Sequence, residues 1–201
     1  MLTWDYENTY RAQGFAVIAG TDEAGRGPLA GPVCAAACIL PSGWMPSGLN
    51  DSKKVSEKKR EILFEEIIQH AVDYAVAYAT PEEIDTLNIL NASQLAMRRA
   101  VSAMKHTPDL VLVDGNIARE FPVQTVTIVG GDGKSPSIAA ASILAKVSRD
   151  RLCLELDAQY PEYGFARHKG YPTKEHMEAV RRLGPSPCHR KSFLGFLQKD
   201  T

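Results

Sequence analysis

Four acidic residues in this chain stand where apolar runs stop. Asp22 and Glu23 follow "VIAGT", Asp114 ends "DLVLVD", and Asp132 closes "TVTIVGGD". One acid at the end of a strand is an ordinary turn residue or helix cap, and Asp132, just ahead of a helical pattern, is open to that reading. Three strand ends that each terminate in acid are harder to explain that way. Carboxylates gathered in a partly buried cleft repel one another unless a cation neutralises them. An all-oxygen set suits Mg²⁺ or Mn²⁺. Two such ions can clamp the attacking and leaving oxygens of a phosphoryl displacement. Adjacent residues of a regular strand point to opposite faces. Glu23 is therefore expected past the strand end, or on a bulge, if it shares a site with Asp22.

The next residues, Gly25-Arg26-Gly27, combine a cation with backbone that can approach a ligand closely and donate N–H groups to phosphate or sugar oxygens. The plainer reading of Arg26 is an ion pair with Glu23. "GRGPLA" also fits the dinucleotide pattern G-x-G-x-x-A, but "VCAAACIL" follows it as strand where a helix is required, and the two acids would repel a pyrophosphate. "GGDGKS" hints at a phosphate-binding loop, yet the first glycine of that motif would fall at Ile128. Neither nucleotide site stands.

The elements that must position these residues follow from apolar periodicity. Strands are expected over 15–22, 33–40, 74–80, 109–115 and 121–132. Helices are expected from Ser56, as N-cap, with Ile62, Leu63, Ile67, Ile68, Ala71 and Val72 at helical spacing; over 81–104 with Pro81 at its entry; and over 136–160. Shorter helices broken by "KGYPTKEH" and "LGPSPCH" complete the chain. Early strands on short connections, then strands alternating with helices, give an α/β fold: a mixed five-stranded sheet flanked by helices, its last two strands in parallel crossover units. Ligands of such sheets collect beyond the carboxyl ends of strands, where the acids fall.

The 201 residues suit one domain, and 44% apolar with 23% charged residues is an ordinary globular composition. No apolar run approaches the roughly 20 residues of a membrane span, and the N-terminus reads as no signal peptide. Cys34 and Cys38 share a strand face without histidines at zinc spacing, so a reducing cytoplasm is the expected compartment. Residues 163–199 hold eight Lys or Arg against two acids in a chain of net charge −1. A basic C-terminal segment on an acidic body suits a polyanionic partner, although a solvated tail would look the same.

The motif set resembles the ribonuclease HII family, type 2 ribonuclease H. The resemblance rests on "GTDEAGRGPLAGPV", "LNDSKKVSEKKRE", "LVDGN", "GDGKSPSIAAASILAKVSRDR", "HKGYPTKEH" and "GPSPCHRKSF", in that order from about residue 15 to 195. It implies an RNase H-like catalytic domain over 1–160 and a basic, substrate-binding helical segment over 161–201 packed on it. Asp22, Glu23, Asp114 and Asp132 would be catalytic and would hold Mg²⁺ or Mn²⁺. Gly25, Arg26, Gly27 and Tyr171 would recognise the junction at a ribonucleotide, and Ser52 and Lys53 would touch substrate. The implied reaction is cleavage of the RNA strand of an RNA–DNA hybrid, or 5′ of a single ribonucleotide in duplex DNA, leaving 3′-hydroxyl and 5′-phosphate ends. The enzyme would act as a monomer without a membrane. Arg167, Lys169, Lys174, Arg181, Arg182, Arg190 and Lys191, with Lys53, Lys54, Lys58, Lys59 and Arg60, would lie along phosphates. Two departures from relatives stand out: Gly130 replaces a frequent lysine, and there is no long N-terminal substrate-binding extension. The rival from another class is a nucleic-acid-binding module without catalysis.

Overall fold

A computed structural model describes residues 2–198 of the chain. Five strands, β1 (Ile18–Ala24), β2 (Val33–Ile39), β3 (Asp73–Ala79), β4 (Leu110–Asp114) and β5 (Gln124–Ile128), form one sheet in the order β3-β2-β1-β4-β5. β1, β2 and β3 are antiparallel neighbours, and β1, β4 and β5 run parallel, which is the mixed sheet expected from the sequence. The parallel register pairs Thr21 with Val113, so the acids that follow stand side by side on central strands, Asp114 at the end of β4 and Asp22 two residues before the end of β1.

The helices are α1 (Asp5–Arg11), α2 (Glu57–His70), α3 (Pro81–Leu87), α4 (Ile89–Ser102), α5 (Pro136–Gln159), α6 (Phe165–His168) and α7 (Lys174–Leu183). β2 alternates in the way its small residues dictate. Cys34, Ala36 and Cys38 face α2 and α5, whereas Val33, Ala35, Ala37 and Ile39 face α4. Small residues on both sides let α5 press against the sheet. A Cβ at Gly20 would stand 2.2 Å from the Ser137 carbonyl carbon, so no other residue fits there without moving the helix.

Several element boundaries differ from the sequence expectation, each for a local reason. The region 81–104 is two helices, because Asn88 adopts φ 67° and its side chain accepts from the Asn91 N–H to start α4. The capping box of Thr80 and Glu83 starts α3. On α2, Ile62 is exposed, as is Val72 just beyond its end, so the buried stripe is Leu63, Phe64 and Ile67. α1 was not foreseen. It is short, and it is anchored by buried Glu7, which accepts from the Ser135 hydroxyl at 2.6 Å and the Ser137 N–H at 3.1 Å. Residues 199–201 of the expected C-terminal segment, Lys199 among them, lie outside the described residues.

Candidate active site

β1 continues as a regular strand through Ala24, with Asp22 opposite Ala36 and Glu23 opposite Ala35. Glu23 therefore lies neither past the strand end nor on a bulge, as had been expected. The two acids take opposite sides of the sheet edge: Asp22 turns toward Ser142 of α5, and Glu23 toward Leu90, Ser93 and Gln94 of α4. They still share a site, because the cleft wraps around the strand end. That cleft, about 320 Å³, is lined by Asp22, Glu23, Gly25, Arg26, Gly27, Ser52, Lys53, Asp114 and Tyr171, together with Ala24, Ser142 and Lys146. All the sequence-predicted site residues meet there except Asp132.

Asp132 lies in the short helical turn Gly131–Gly133, outside the cleft lining itself but close enough to Asp114, Asp51 and the cleft residue Lys53 to interact with all three. It does not cap α5: Ser135 does, accepting from the Ile138 N–H at 3.2 Å. Its neighbour Gly131 donates its N–H to Asp114 Oδ1 at 2.6 Å, which ties this turn to the end of β4. Gly130 adopts φ 64° with open space around it, so a side chain there would carry a backbone cost alone.

The electrostatics are those of charges held together against their preference. Burial first, then the charges of Glu23 and Asp114, push the Asp22 carboxyl well above the usual range. Burial likewise raises Glu23, opposed by Arg26 and reinforced by Asp114. Asp132 is raised by burial, by Asp114 and by Asp51. Burial pulls the Lys53 ammonium down, but Asp132, Asp22, Asp51 and Asp114 outweigh it and leave it raised. Asp51 is a fifth acid that the sequence reading missed, since "NDSKK" looks like a turn. It caps the turn Ser52–Lys54 by accepting from the Lys53 N–H at 2.9 Å.

Among the described residues, no three His, Cys, Asp or Glu side chains stand close enough to close around one ion as they are now placed. The donor chemistry nevertheless fits a hard divalent cation. The set is all oxygen, and Asp22 is 6% and Asp132 9% exposed, each raised by the charge of Asp114. Oδ1 of Asp22 accepts from the Glu23 N–H at 2.7 Å and Oδ1 of Asp114 from the Gly131 N–H, and the Ser142 hydroxyl also hydrogen-bonds the Asp22 carboxylate. Rotation of side chains at fixed strand ends is what ligation requires.

The Gly25-Arg26-Gly27 loop is held from behind by two arginines. Arg190, 0% exposed, donates to the carbonyl oxygens of Gly25 (2.6 Å), Arg26 (2.9 Å) and Gly31 (2.8 Å). Arg149, 1% exposed, donates to those of Ala30 (3.3 Å), Pro32 (3.4 Å) and Lys169 (3.0 Å), and its guanidinium lies 5.9 Å from the Tyr171 ring centre. Neither pairs with a carboxylate among the described residues. Arg190 was expected along phosphates, and its burial corrects that reading: the carbonyls of a tight loop engage all three of its nitrogens. Arg60 is similarly diverted, to the carbonyls of Ser52 (3.0 Å) and Val55 (2.5 Å). Arg26 does pair with Glu23, at 3.3 Å, yet its side chain stays 51% exposed.

Tyr171, 41% exposed, is not a core residue; it stands beside Gly27 on the cleft wall. Ser52 is buried and accepts from the Ser142 hydroxyl at 2.9 Å. Lys146, unforeseen, pairs with Asp150 at 2.6 Å one turn along α5. The i, i+4, i+8 series Ser142, Lys146, Asp150 was visible in the sequence as one helix face. What it faced was not.

Comparison with known proteins agrees with this fold. A curated ribonuclease HII of Desulfitobacterium hafniense (strain Y51) is 58% identical over 186 residues, 92% of this chain and 72% of that protein. The crystal structure of ribonuclease H2 from Pyrococcus horikoshii OT3 superposes with a TM-score of 0.75 at 27% identity, covering 92% of this chain and 98% of that one. Bst-RNase HIII, solved in complex with Mn²⁺, shares the fold with a TM-score of 0.64 at 18% identity, covering 91% of this chain and 70% of that one. The ribonuclease HII family model matches residues 19–195, and with that match and the 58% identity to a curated relative this chain belongs to the ribonuclease HII family, a family of RNase H endonucleases.

Proposed function

We propose that this enzyme cuts the RNA strand of RNA–DNA hybrids and cuts 5′ of single ribonucleotides in duplex DNA, leaving 3′-hydroxyl and 5′-phosphate ends. The observation that carries this reading is the juxtaposition of repelling acids with a loop whose amide edge is free. Arg190 draws the loop carbonyls inward, and the N–H groups of Arg26 and Gly27 have no protein acceptor among the described residues. A 2′-hydroxyl is what separates RNA from DNA at one position, and free amides beside the acids can read it. Tyr171, on the same wall, can pack against the sugar. The cleft's proposed occupant is thus the junction nucleotide, with its scissile phosphate over Asp22, Glu23 and Asp114.

These acids, with Asp132 beside Asp114 and Lys53, would hold Mg²⁺ or Mn²⁺. Bound ions would supply activation of the attacking water and neutralisation of charge at the leaving 3′ oxygen. The protein's part is to fix the acids at strand ends, hold the phosphate by Lys53 and Lys146, and shape the loop for one sugar. Residues 1–160 would be the catalytic unit. Residues 161–201 would add substrate grip through exposed Lys191, Arg182 and Lys174 rather than through buried Arg190. We place the enzyme, as a monomer, in the cytoplasm beside its nucleic acid; among the described residues no helix is long and apolar enough to cross a membrane.

The test is a labelled DNA duplex carrying one ribonucleotide, beside its all-DNA twin, incubated with Mg²⁺, Mn²⁺ or EDTA. The expected result is a metal-dependent cut just 5′ of the ribonucleotide with the twin intact. Binding without any cut in either metal would overturn the catalytic reading in favour of a binding module.

A further inference from the structure

Beneath Tyr171 lie three histidines that the proposed chemistry leaves unused. His168, His176 and His189 are 7%, 0% and 2% exposed. The His168 and His176 rings stack at 4.3 Å, and Phe165 and Tyr163 pack on the cluster. Hydrogen bonds with fixed donors set which nitrogen carries each proton. The Ser186 N–H points at His189 Nδ1 (3.0 Å), so that nitrogen accepts and Nε2 carries the proton. His189 Nε2 lies 3.0 Å from His176 Nε2, which must accept. That leaves His176 Nδ1–H to donate, and it lies 3.0 Å from the Tyr171 carbonyl oxygen. His168 accepts the Gly170 N–H at Nδ1 (3.2 Å) and donates from Nε2 to the Tyr163 carbonyl (2.8 Å). The turn is tied in from its other side as well, because the Leu29 N–H donates to the Gly170 carbonyl at 2.8 Å.

We propose that His176, oriented by His189, and His168 are positioning residues for Tyr171: they fix the Gly170–Tyr171 backbone so that the exposed ring stands on the cleft wall beside Gly27. The relay runs from the Ser186 amide through two imidazoles to the Tyr171 carbonyl, and it joins the "HKGYPTKEH" and "GPSPCHRKSF" segments. The network touches no acid of the cleft; besides the tyrosine it borders the loop that Arg190 clamps, and the cycle below isolates the part that passes through Tyr171. The inference rests on the proposed role of Tyr171 in substrate recognition.

A double-mutant cycle on the full-length protein separates the two ideas, read as kcat/KM on the single-ribonucleotide duplex in Mg²⁺. Tyr171→Ala is expected to lower it at least ~10-fold, and His176→Phe about 10-fold, since small misplacements of a recognition group are costly. The double variant should match Tyr171→Ala alone. His176→Asn, which returns an N–H near the Nδ1 position, should recover most of the loss. Multiplied losses, or a His176→Phe enzyme cleaving like wild type, would overturn the positioning role while leaving Tyr171 in place. An unaffected Tyr171→Ala enzyme would sink the recognition reading and this inference with it. Should His176→Phe fail to fold, His168→Gln takes its place in the cycle. It keeps the donor to Tyr163, loses the acceptor for Gly170, and must likewise be non-additive with Tyr171→Ala.

Discussion

Arg190 Nη2 donates to the carbonyl oxygen of Gly25 at 2.6 Å, which ties the end of the chain to the residue directly after β1. The same guanidinium serves Arg26 and Gly31, a fan of carbonyls that a lysine's single ammonium cannot reproduce. Arg190→Lys is therefore expected to lower stability by about 2–4 kcal/mol, with unmet carbonyls and a buried charge left behind. Cleavage should fall with it. Urea unfolding checks the first part, and an unchanged midpoint would mean the clamp contributes nothing.

Gly25 has φ 92°, and a Cβ there would lie 1.9 Å from Arg149 Nε. Gly25→Ala thus combines backbone strain with a clash against a pinned side chain, for a loss of about 2–3 kcal/mol. Gly27, whose Cβ would meet only Tyr171 at 3.5 Å, should tolerate alanine in stability. Paired thermal melts of the two variants test this contrast, and equal losses would refute it.

Burial, then the charges of Glu23 and Asp114, oppose ionisation of the Asp22 carboxyl. Asp22→Asn should abolish cleavage, at least ~10³-fold, yet raise the melting temperature of the metal-free protein by about 3–6 °C. Mn²⁺ or Mg²⁺ should raise the wild-type melting temperature and leave the variant's nearly unmoved. A large drop on substitution would make Asp22 a structural residue.

The buried histidines set a pH dependence. Burial first, then the charge of His176, lowers His189 to about 4, and burial also lowers His176, against the pull of Glu175. A depressed histidine binds fewer protons folded than unfolded. Its stabilisation is complete above about pH 6.5 and is lost as pH falls toward 4, up to about 3 kcal/mol for His189. Raised Asp22 and Asp132 act in the opposite sense, favouring the fold as they protonate. Unfolding free energies between pH 7 and 4.5 should fall for wild type and fall less steeply for His189→Gln. Parallel curves would dismiss the cluster as the cause.

Much of this architecture was legible because it is local. Apolar runs ending in acid gave the strands and their carboxylates, and a long small-residue helix gave α5. The two helices within 81–104 were not separable, since Asn88 breaks them by a backbone angle rather than by a change in apolar pattern. The course of β1 through Glu23 was hidden as well: charge at a strand end reads as a loop unless the helix on the other face is known. Arg149 and Arg190 were the largest loss. All their carbonyl partners but Lys169 are more than a hundred residues away, and a carbonyl leaves no mark in a sequence.

That long-range fan has a consequence for how the molecule can come apart. Two guanidiniums buried without carboxylates are tolerable only while every carbonyl they serve is in place. The loop after β1, the turn at Gly170 and the segment around His189 should therefore order and melt as a single cooperative block. Amide exchange across these three distant stretches would then share one opening free energy. A nascent or clipped chain lacking its last dozen residues would have no partly shaped reading surface, and so no intermediate with relaxed selectivity.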